Sequence, residues 1–264
     1  MRVQGADVLI TGASSGIGAA IAREMAARGA RVTLVARRRE PLEKLAGEIG
    51  AAGGEARIEP ADLSKVEEVE ALAARLLEDG GPPDVLVNNA GAGRWLAVDE
   101  TPPGEAAQMM TLPYLAAFEL TRALAPAMIA AGSGRIVCMT SLAGWTHIPG
   151  ATGYAVARWA MRAFASQLRE DLRGTGVGVT LMAPAEVDSP YFDNNPGSRE
   201  RIPRAVLLVG GACTCEVVAR DTAAAVERDR DEVIVPRRAA IIVKLTPKRM
   251  FDWMVRRSGW RRGA

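Results

Sequence analysis

A glycine-rich segment follows the first apolar run of the chain and has the composition of a phosphate-binding turn. It reads Thr11-Gly-Ala-Ser-Ser-Gly-Ile-Gly18 and leads directly into a helical pattern. Glycines let a backbone approach a pyrophosphate closely, and the free amides at a helix N-terminus attract the anion. The alternative is a turn that only packs a strand against a helix. We predict pyrophosphate contacts from Gly12, Ser14, Ser15, Gly16, Ile17 and Gly18.

Two arginines follow the second apolar run, where a dinucleotide-binding protein selects its cofactor. An NAD-specific protein often places an acid there, against the ribose 2′-hydroxyl. This chain has Ala36 and then Arg37 and Arg38. Because a guanidinium pairs well with a phosphate, the pattern favours NADP(H) over NAD(H). The alternative is a solvated basic turn.

Ser141 and Tyr154 carry hydroxyls suited to the reduction of a ketone. That reaction needs a hydride donor on one face of the carbonyl and a proton donor at its oxygen. A tyrosine hydroxyl is such a donor when a nearby cation lowers its pKa from about 10. Arg158 follows Tyr154 by four residues, which places both on one helix face. Alternatively, Ser141 is a polar strand end and Tyr154 a buried aromatic.

The order of these motifs resembles the short-chain dehydrogenase/reductase family. Asp62-Leu63 follows the third predicted strand, Asn88-Asn89-Ala90-Gly91 the fourth and Ser141 the fifth, with Tyr154 thirteen residues later. The resemblance covers residues 8 to about 236. It implies an NADP(H) site and a homo-oligomer formed through the long helices. It also assigns Asp62 and Leu63 to the adenine, Asn88, Ala90 and Gly91 to the ribose, and Val187 and Ser189 to the nicotinamide end, with Ser141, Tyr154 and Arg158 as the catalytic set.

Two positions depart from the catalytic set of that family. Arg158 stands where the family has lysine, and a guanidinium neither releases a proton nor has the size of an ammonium group. Pro113 stands where the family usually has an asparagine that holds a water, and proline has no side-chain donor. Thr111 is a partial substitute if the register differs. In that family the water held by the asparagine belongs to a proton relay, so these two changes put proton transfer to and from Tyr154 in question.

Three functions therefore stay open. The leading hypothesis is an NADP(H)-dependent oxidoreductase that acts on a carbonyl or alcohol of a small apolar molecule. The second is a non-redox lyase, isomerase or cyclase that uses the same pocket, because acid catalysis depends less on a relay. The third is a catalytically silent binding or scaffold protein.

The alternation of short apolar runs with helical patterns predicts the fold that positions these residues. It is typical of an α/β, single-domain Rossmann fold with a doubly wound, seven-stranded parallel sheet. The predicted strands are Val8–Ile10, Arg31–Ala36, Ala56–Pro60, Val85–Val87, Arg135–Met139, Val177–Met182 and Glu232–Val235. The predicted helices include Ile17–Arg28, Pro41–Ala51, Lys65–Glu78, Pro103–Ala131 and Gly153–Arg173. We expect the irregular Ala185–Gly211 segment to be a substrate lid.

Composition narrows the class of protein further. The 264 residues are 48% hydrophobic, with three cysteines and one histidine. So few ligands predict no metal site and no disulfide framework, and a cytoplasmic location is the expectation. We recognise no signal peptide, and no uncharged apolar stretch approaches the roughly 20 residues of a membrane span.

The last 28 residues form a separate electrostatic unit, so we divide the chain into a dinucleotide-binding domain, 1–236, and a basic amphipathic extension, 237–264. The extension has nine basic residues against one acid, Asp252, mixed with large apolar side chains. Such a segment packs on its own subunit or a partner, or lies on an anionic membrane surface. No nucleic-acid motif is recognisable, so the expected ligand is a small-molecule substrate.

Overall fold

The computed structural model describes residues 1–261, except for the side chains of residues 208–210 and 244. The last three residues of the predicted extension, Arg262 among them, lie outside the described residues. One large parallel sheet consists of β1 (Asp7–Thr11), β2 (Arg31–Ala36), β3 (Glu55–Pro60), β4 (Val85–Asn88), β5 (Gly134–Met139), β6 (Val177–Pro184) and β9 (Glu232–Val235). Its strand order is β3-β2-β1-β4-β5-β6-β9. Two short strands, β7 (Val187–Asp188) and β8 (Cys213–Thr214), pair separately.

Ten α-helices of the described chain connect and cover these strands. They are α1 (Gly16–Ala27), α2 (Arg39–Ala51), α3 (Val66–Gly80), α4 (Glu105–Met110), α5 (Ala116–Ala131), α6 (Thr152–Asp171), α7 (Arg204–Gly210), α8 (Cys215–Glu227), α9 (Arg237–Leu245) and α10 (Lys248–Ser258). The predicted seven-stranded, doubly wound fold is confirmed. Every predicted strand lies within an observed one, because continuous apolar runs are typical of strands covered on both faces.

The alternation of side chains along each strand divides the core into two layers. Ile10 packs into the layer formed with α1, α2 and α8. Its neighbour Leu9 packs into the opposite layer, with α3, α5 and α6. Ile136 and Val137 divide in the same way. The central strands of the sheet are therefore buried on both sides.

The long helix predicted over Pro103–Ala131 is interrupted. A π-helical turn, Thr111–Leu115, separates α4 from α5 and contains the buried Pro113. Proline has no amide hydrogen for the helical hydrogen bond to residue i−4, and a π-turn is a common adjustment around such a defect. Pro113 therefore lies at a local irregularity of the helix.

By length and composition, the helical run Glu105–Ala131 would suffice to cross a membrane. Its α5 portion nevertheless carries Glu119 and Arg122, and it packs Leu120 and Leu124 into the core beside the sheet. These contacts are those of a core helix in an α/β layer.

The segment predicted to be an irregular lid, Ala185–Gly211, contains more regular structure than expected. The short strand β7 lies in its first half and the helix α7 in its second half. The prediction of an irregular segment is therefore wrong for the second half. The reason is burial, since Ile202, Ala205 and Val206 all face the core. An apolar run of this kind is stabilised by packing that local sequence does not reveal.

The C-terminal helices pack against the rest of the chain. Ala239 of α9 and Phe251 and Val255 of α10 are buried in one cluster with Ile202 and Tyr154. One side of α9 and one side of α10 are thus part of this apolar cluster.

We expect Phe251→Ala to lower the free energy of unfolding by about 3 kcal/mol, because it leaves a cavity in this cluster. Urea denaturation followed by circular dichroism measures the loss. Trp253→Ala, on the exposed face of the same helix, should cost less than about 0.5 kcal/mol. Equal losses for the two variants would contradict the packing of α10 on its own chain.

Candidate functional site

A cavity of about 620 Å³ lies beyond the carboxyl ends of the central strands. Strand order reverses between β1 and β4, and open α/β sheets bind ligands at such a switch point. The cavity runs from the glycine-rich turn to residues of α6 and α7. Most of the predicted site residues line it, namely Gly12, Ser14, Ser15, Gly16, Ile17, Gly18, Arg37, Arg38, Leu63, Ala90, Gly91, Ser141, Tyr154, Arg158, Val187 and Ser189.

The turn after β1 has no room for side chains at two of its glycines. Gly12 has a φ of +67°, and a Cβ there would lie 2.9 Å from the Cα of Ala90. A Cβ at Gly18 would lie 2.2 Å from the carbonyl oxygen of Gly12. Ser15 precedes α1 and makes no side-chain capping bond, and the first turn of α1 has no acid. The helix N-terminus therefore keeps amides and a hydroxyl for an anion.

Hydrogen bonds of Thr11 and Asn89 connect this turn to the end of β4. The Thr11 hydroxyl donates to the carbonyl of Val87 (3.1 Å) and accepts from the amides of Asn89 (2.9 Å) and Ala90 (3.0 Å). The Asn89 side-chain amide donates to the carbonyl of Thr11 (2.9 Å). Sequence reasoning assigned no role to Asn89. Its position next to Asn88, directly after a strand, was the sequence feature that could have indicated a role at the site.

Arg37 and Arg38 line the cavity just beyond β2, and both are exposed. Neither has a carboxylate within 4.0 Å among the described residues, in contrast to the neighbouring Arg39, which pairs with Glu43. Their charges therefore face the cavity and solvent, and the charge of Arg37 is one of the causes that lower the pKa of Asp62.

Two predicted contacts lie outside the cavity lining. The Asp62 carboxylate accepts hydrogen bonds from the Ser64 hydroxyl (2.7 Å) and amide (3.1 Å). The first of these bonds is the main cause that lowers the pKa of Asp62. Asn88 is buried and donates to the Thr121 hydroxyl (3.0 Å). The Asp62 contact is local, whereas Asn88 contacts α5, and its Oδ1 has no hydrogen-bond partner among the described residues.

Tyr154 and Arg158 meet on one face of α6, as their spacing predicts. The guanidinium carbon of Arg158 lies 4.8 Å from the centre of the Tyr154 ring, and both residues are about 8% exposed. Ser141 follows β5, and its hydroxyl accepts from the amide of Ala143 (3.2 Å), which leaves its own hydrogen to donate. The cavity therefore brings a serine hydroxyl, a phenol and a cation to one end.

The guanidinium of Arg158 is buried without a counter-charge. Its Nε has no hydrogen-bond partner, and the described residues include no carboxylate within 4.0 Å of the group. A Cβ at Gly91 would lie 3.1 Å from one of its terminal nitrogens, so the glycine makes room for a head group larger than an ammonium. A buried cation without a partner is costly, so this charge favours an anionic or hydrogen-bond-accepting neighbour in the cavity.

Neither Pro113 nor Thr111 has a free side-chain donor. Pro113 is buried in the π-turn, and the hydroxyl of Thr111 donates to the carbonyl of Ala107 (2.9 Å) within its own helix. Thr111 is therefore occupied in a local helical contact.

Apolar and aromatic side chains enclose the end of the cavity beyond Tyr154. The Tyr191 ring lies 6.0 Å from that of Tyr154, and its hydroxyl donates to the carbonyl of Gly93. Burial, together with the nearby Tyr154, raises the pKa of Tyr191, so its hydroxyl stays protonated. Trp95, which sequence reasoning missed, packs 5.4 Å from Tyr154. Further apolar lining comes from Leu142, Ile148, Phe192, Ile202 and Val206.

The histidine and the cysteines lie outside the cavity lining. His147 is exposed and stacks on Trp159 at 5.8 Å. Burial raises the pKa of Cys138 to about 12 and that of Cys213 to about 11, so these thiols are protonated. Among the described residues, no group of three or more potential ligands could hold a metal ion.

The chain is similar to many known proteins. The profile of the short chain dehydrogenases matches residues 6–199. A ketoacyl reductase from Nostoc, HetN, is 33% identical over 231 residues, which cover 88% of this chain and 78% of the relative. Nodulation protein G from a Rhizobium species is 36% identical over 206 residues, 78% of this chain and 83% of the relative.

Solved structures agree with these relatives. A metagenomic short-chain oxidoreductase in complex with NADP superposes with a TM-score of 0.73 at 35% identity, over 89% of this chain and 98% of the other. A short-chain dehydrogenase/reductase from Burkholderia phymatum in complex with NAD superposes over 100% of this chain and 99% of its own, with a TM-score of 0.83 at 26% identity. With the glycine turn, the Asn89 contacts and the Ser141–Tyr154 pair at one cavity, these likenesses show that the chain belongs to the short-chain dehydrogenase/reductase family of oxidoreductases, which use a nicotinamide cofactor.

Proposed function

We propose that this enzyme uses NADP(H) to interconvert a carbonyl and an alcohol in a small, largely apolar organic molecule. The observation that carries the proposal is the stacking of Arg158 on Tyr154, beside Ser141, in the cavity that begins at the glycine turn. The apolar lining beyond Tyr154 supports an apolar substrate.

The residues of the cavity fit a phosphorylated dinucleotide. The cradle at Gly12 and Gly18, which a Cβ would fill, would hold the pyrophosphate against the N-terminus of α1. Arg37 and Arg38 would pair with the 2′-phosphate. Leu63, Ala90 and Gly91 would flank the nucleoside, and Val187 and Ser189 the nicotinamide end. When bound, the cofactor supplies or accepts the hydride.

Ser141, Tyr154 and Arg158 have different roles in the proposed reaction. Ser141 donates a hydrogen bond to the substrate oxygen and holds it near the Tyr154 hydroxyl. Tyr154 gives that oxygen a proton in reduction and takes one in oxidation. Arg158 places its positive charge against the ring of Tyr154, but a guanidinium does not pass a proton on. Pro113 adds no donor, so proton return to Tyr154 depends on other groups in the cavity.

A calorimetric titration tests the cofactor assignment. We expect Arg37→Ala to weaken NADPH binding about tenfold or more and to leave NADH binding unchanged, because a charge-assisted phosphate contact is lost. Arg39→Ala, whose arginine pairs with Glu43 instead, is the matched control. Tighter binding of NADH than NADPH by the unaltered protein would overturn the NADP(H) preference.

The proton-donor role predicts a loss of turnover in Tyr154→Phe. On a panel of small apolar ketones, followed by NADPH absorbance and product analysis, kcat should fall about a thousandfold while NADPH affinity is retained. Tyr114→Phe, which removes a hydroxyl outside the cavity, should change little. Full turnover by Tyr154→Phe would refute this mechanism, and product formed without oxidation of NADPH would support the non-redox alternative.

We also propose a homo-oligomer formed through α5 and α6, as the family resemblance implies. Leu115, Phe118 and Val156 are large apolar residues exposed on this layer, at 46%, 41% and 55%. An exposed apolar surface of this kind is typical of a subunit contact.

Light scattering tests the subunit contact. The unaltered protein should have the mass of at least two chains, and Phe118→Glu should reduce it, because a buried carboxylate at a contact is unfavourable. Val98→Glu alters a residue that is 72% exposed in a different surface turn and should leave the mass unchanged. A monomeric mass for the unaltered protein at micromolar concentration would contradict the proposal.

A further inference from the structure

The C-terminal helices expose an unusual number of large apolar side chains next to arginines. Ile241 and Leu245 of α9 are 59% and 78% exposed, and Met250 and Trp253 of α10 are 49% and 51% exposed. We call this surface the basic-apolar face and define it by Arg237, Ile241, Leu245, Arg249, Met250, Trp253, Arg256 and Arg257, all of which are exposed.

The spacing of these residues places them on one side of each helix. In α10, Arg249, Trp253 and Arg256 follow the intervals i, i+4 and i+7, which share a helical face. The opposite side of that helix carries Phe251 and Val255, both buried against the chain.

The same division holds in α9, where Arg237, Ile241 and Leu245 recur every four residues. Ala239 lies on the other side of this helix and is fully buried. Each helix therefore uses one face for the core, and the face turned to solvent is also rich in apolar side chains.

The only acid of the extension does not neutralise this face. Asp252 has a side chain that is 15% exposed, and it accepts hydrogen bonds from Thr146 (2.8 Å) and Lys248 (2.8 Å). Burial alone would raise the pKa of Asp252, but these hydrogen bonds outweigh it and lower that pKa. The carboxylate is turned inward and satisfied, so positive charge dominates the basic-apolar face.

Contacts hold this face beside the apolar end of the cavity. The hydroxyl of Ser258, at the end of α10, donates a hydrogen bond to the carbonyl of Met254. The same hydroxyl accepts a hydrogen bond from the amide of Ala205 in α7 (2.9 Å). The guanidinium of Arg201 lies 4.9 Å from the ring centre of Trp260, which packs on Gly150. The helices are thus anchored by their inner sides, and the outer side of each helix is exposed.

We propose that the basic-apolar face binds the surface of an anionic lipid bilayer, with α9 and α10 lying in its plane. Leu245 and Trp253 enter the boundary between head groups and acyl chains, and the arginines contact lipid phosphates. Charge complementarity selects an anionic partner. The large aliphatic and indole side chains among the arginines favour a surface with an apolar interior over an acidic protein or a nucleic acid.

Vesicle flotation tests the proposal with the full-length protein. We expect co-flotation with phosphatidylcholine vesicles that contain about 30% phosphatidylglycerol, and about tenfold less with pure phosphatidylcholine. High salt should release the protein, because it screens the arginines from the head groups. Equal partitioning onto both kinds of vesicle, or onto neither, would overturn the proposal.

Two variants separate the apolar and ionic contributions. The double variant Leu245→Ser, Trp253→Ser and the double variant Arg249→Glu, Arg256→Glu should each lose about tenfold or more of the vesicle binding. Val66→Ser and Arg220→Glu, at exposed positions of α3 and α8, are the matched controls. The variants should retain the unfolding midpoint and the NADPH affinity of the unaltered protein, which separates this test from that of the catalytic proposal.

The remaining outcomes identify a different occupant. If the apolar variant binds vesicles normally but has a lower mass in light scattering, a second copy of the chain covers the face and the proposal is wrong. Retention of vesicle binding by the charge-reversal variant would equally contradict it.

Discussion

The site depends on the close approach of two backbones at the centre of the sheet. The turn after β1 lies so near the end of β4 that a Cβ at Gly12 would clash with Ala90, and one at Gly18 would clash with the turn itself. Thr11 and Asn89 fix that approach by four hydrogen bonds. Because the first turn of α1 starts from this contact, the direction of its free amides follows from it. The remaining groups of the cavity are arranged around this fixed point.

The charge of Arg158 is the second constraint, and it acts at the other end of the cavity. A buried guanidinium without an acid is stable only where packing leaves room and an electron-rich group lies near. Gly91 provides the room and the Tyr154 ring provides the electron-rich face. Arg158 is therefore accommodated by its surroundings, and Pro113 lies in a π-turn of the helix.

The C-terminal segment shows how one amphipathic pattern serves two surfaces. The buried sides of α9 and α10 extend the apolar cluster around Tyr154 and Ile202. Their outer sides combine Leu245 and Trp253 with arginines, a mixture that the core does not require. Helical periodicity separates the two sets of side chains, so neither requirement compromises the other.

From the sequence alone we predicted the strands, their parallel arrangement and most of the motif residues that line the cavity, since apolar runs and motifs at strand ends are local signals. It also placed Tyr154 and Arg158 on one face. Three features became visible only in the folded chain: the helix α7, the hydrogen bonds of Asn89 to the turn after β1, and the contact of Asn88 with Thr121 outside the cavity lining. The packing of Trp95 beside Tyr154 was likewise visible only in the folded chain. These features depend on contacts between residues far apart in the chain, and local propensity does not encode such contacts.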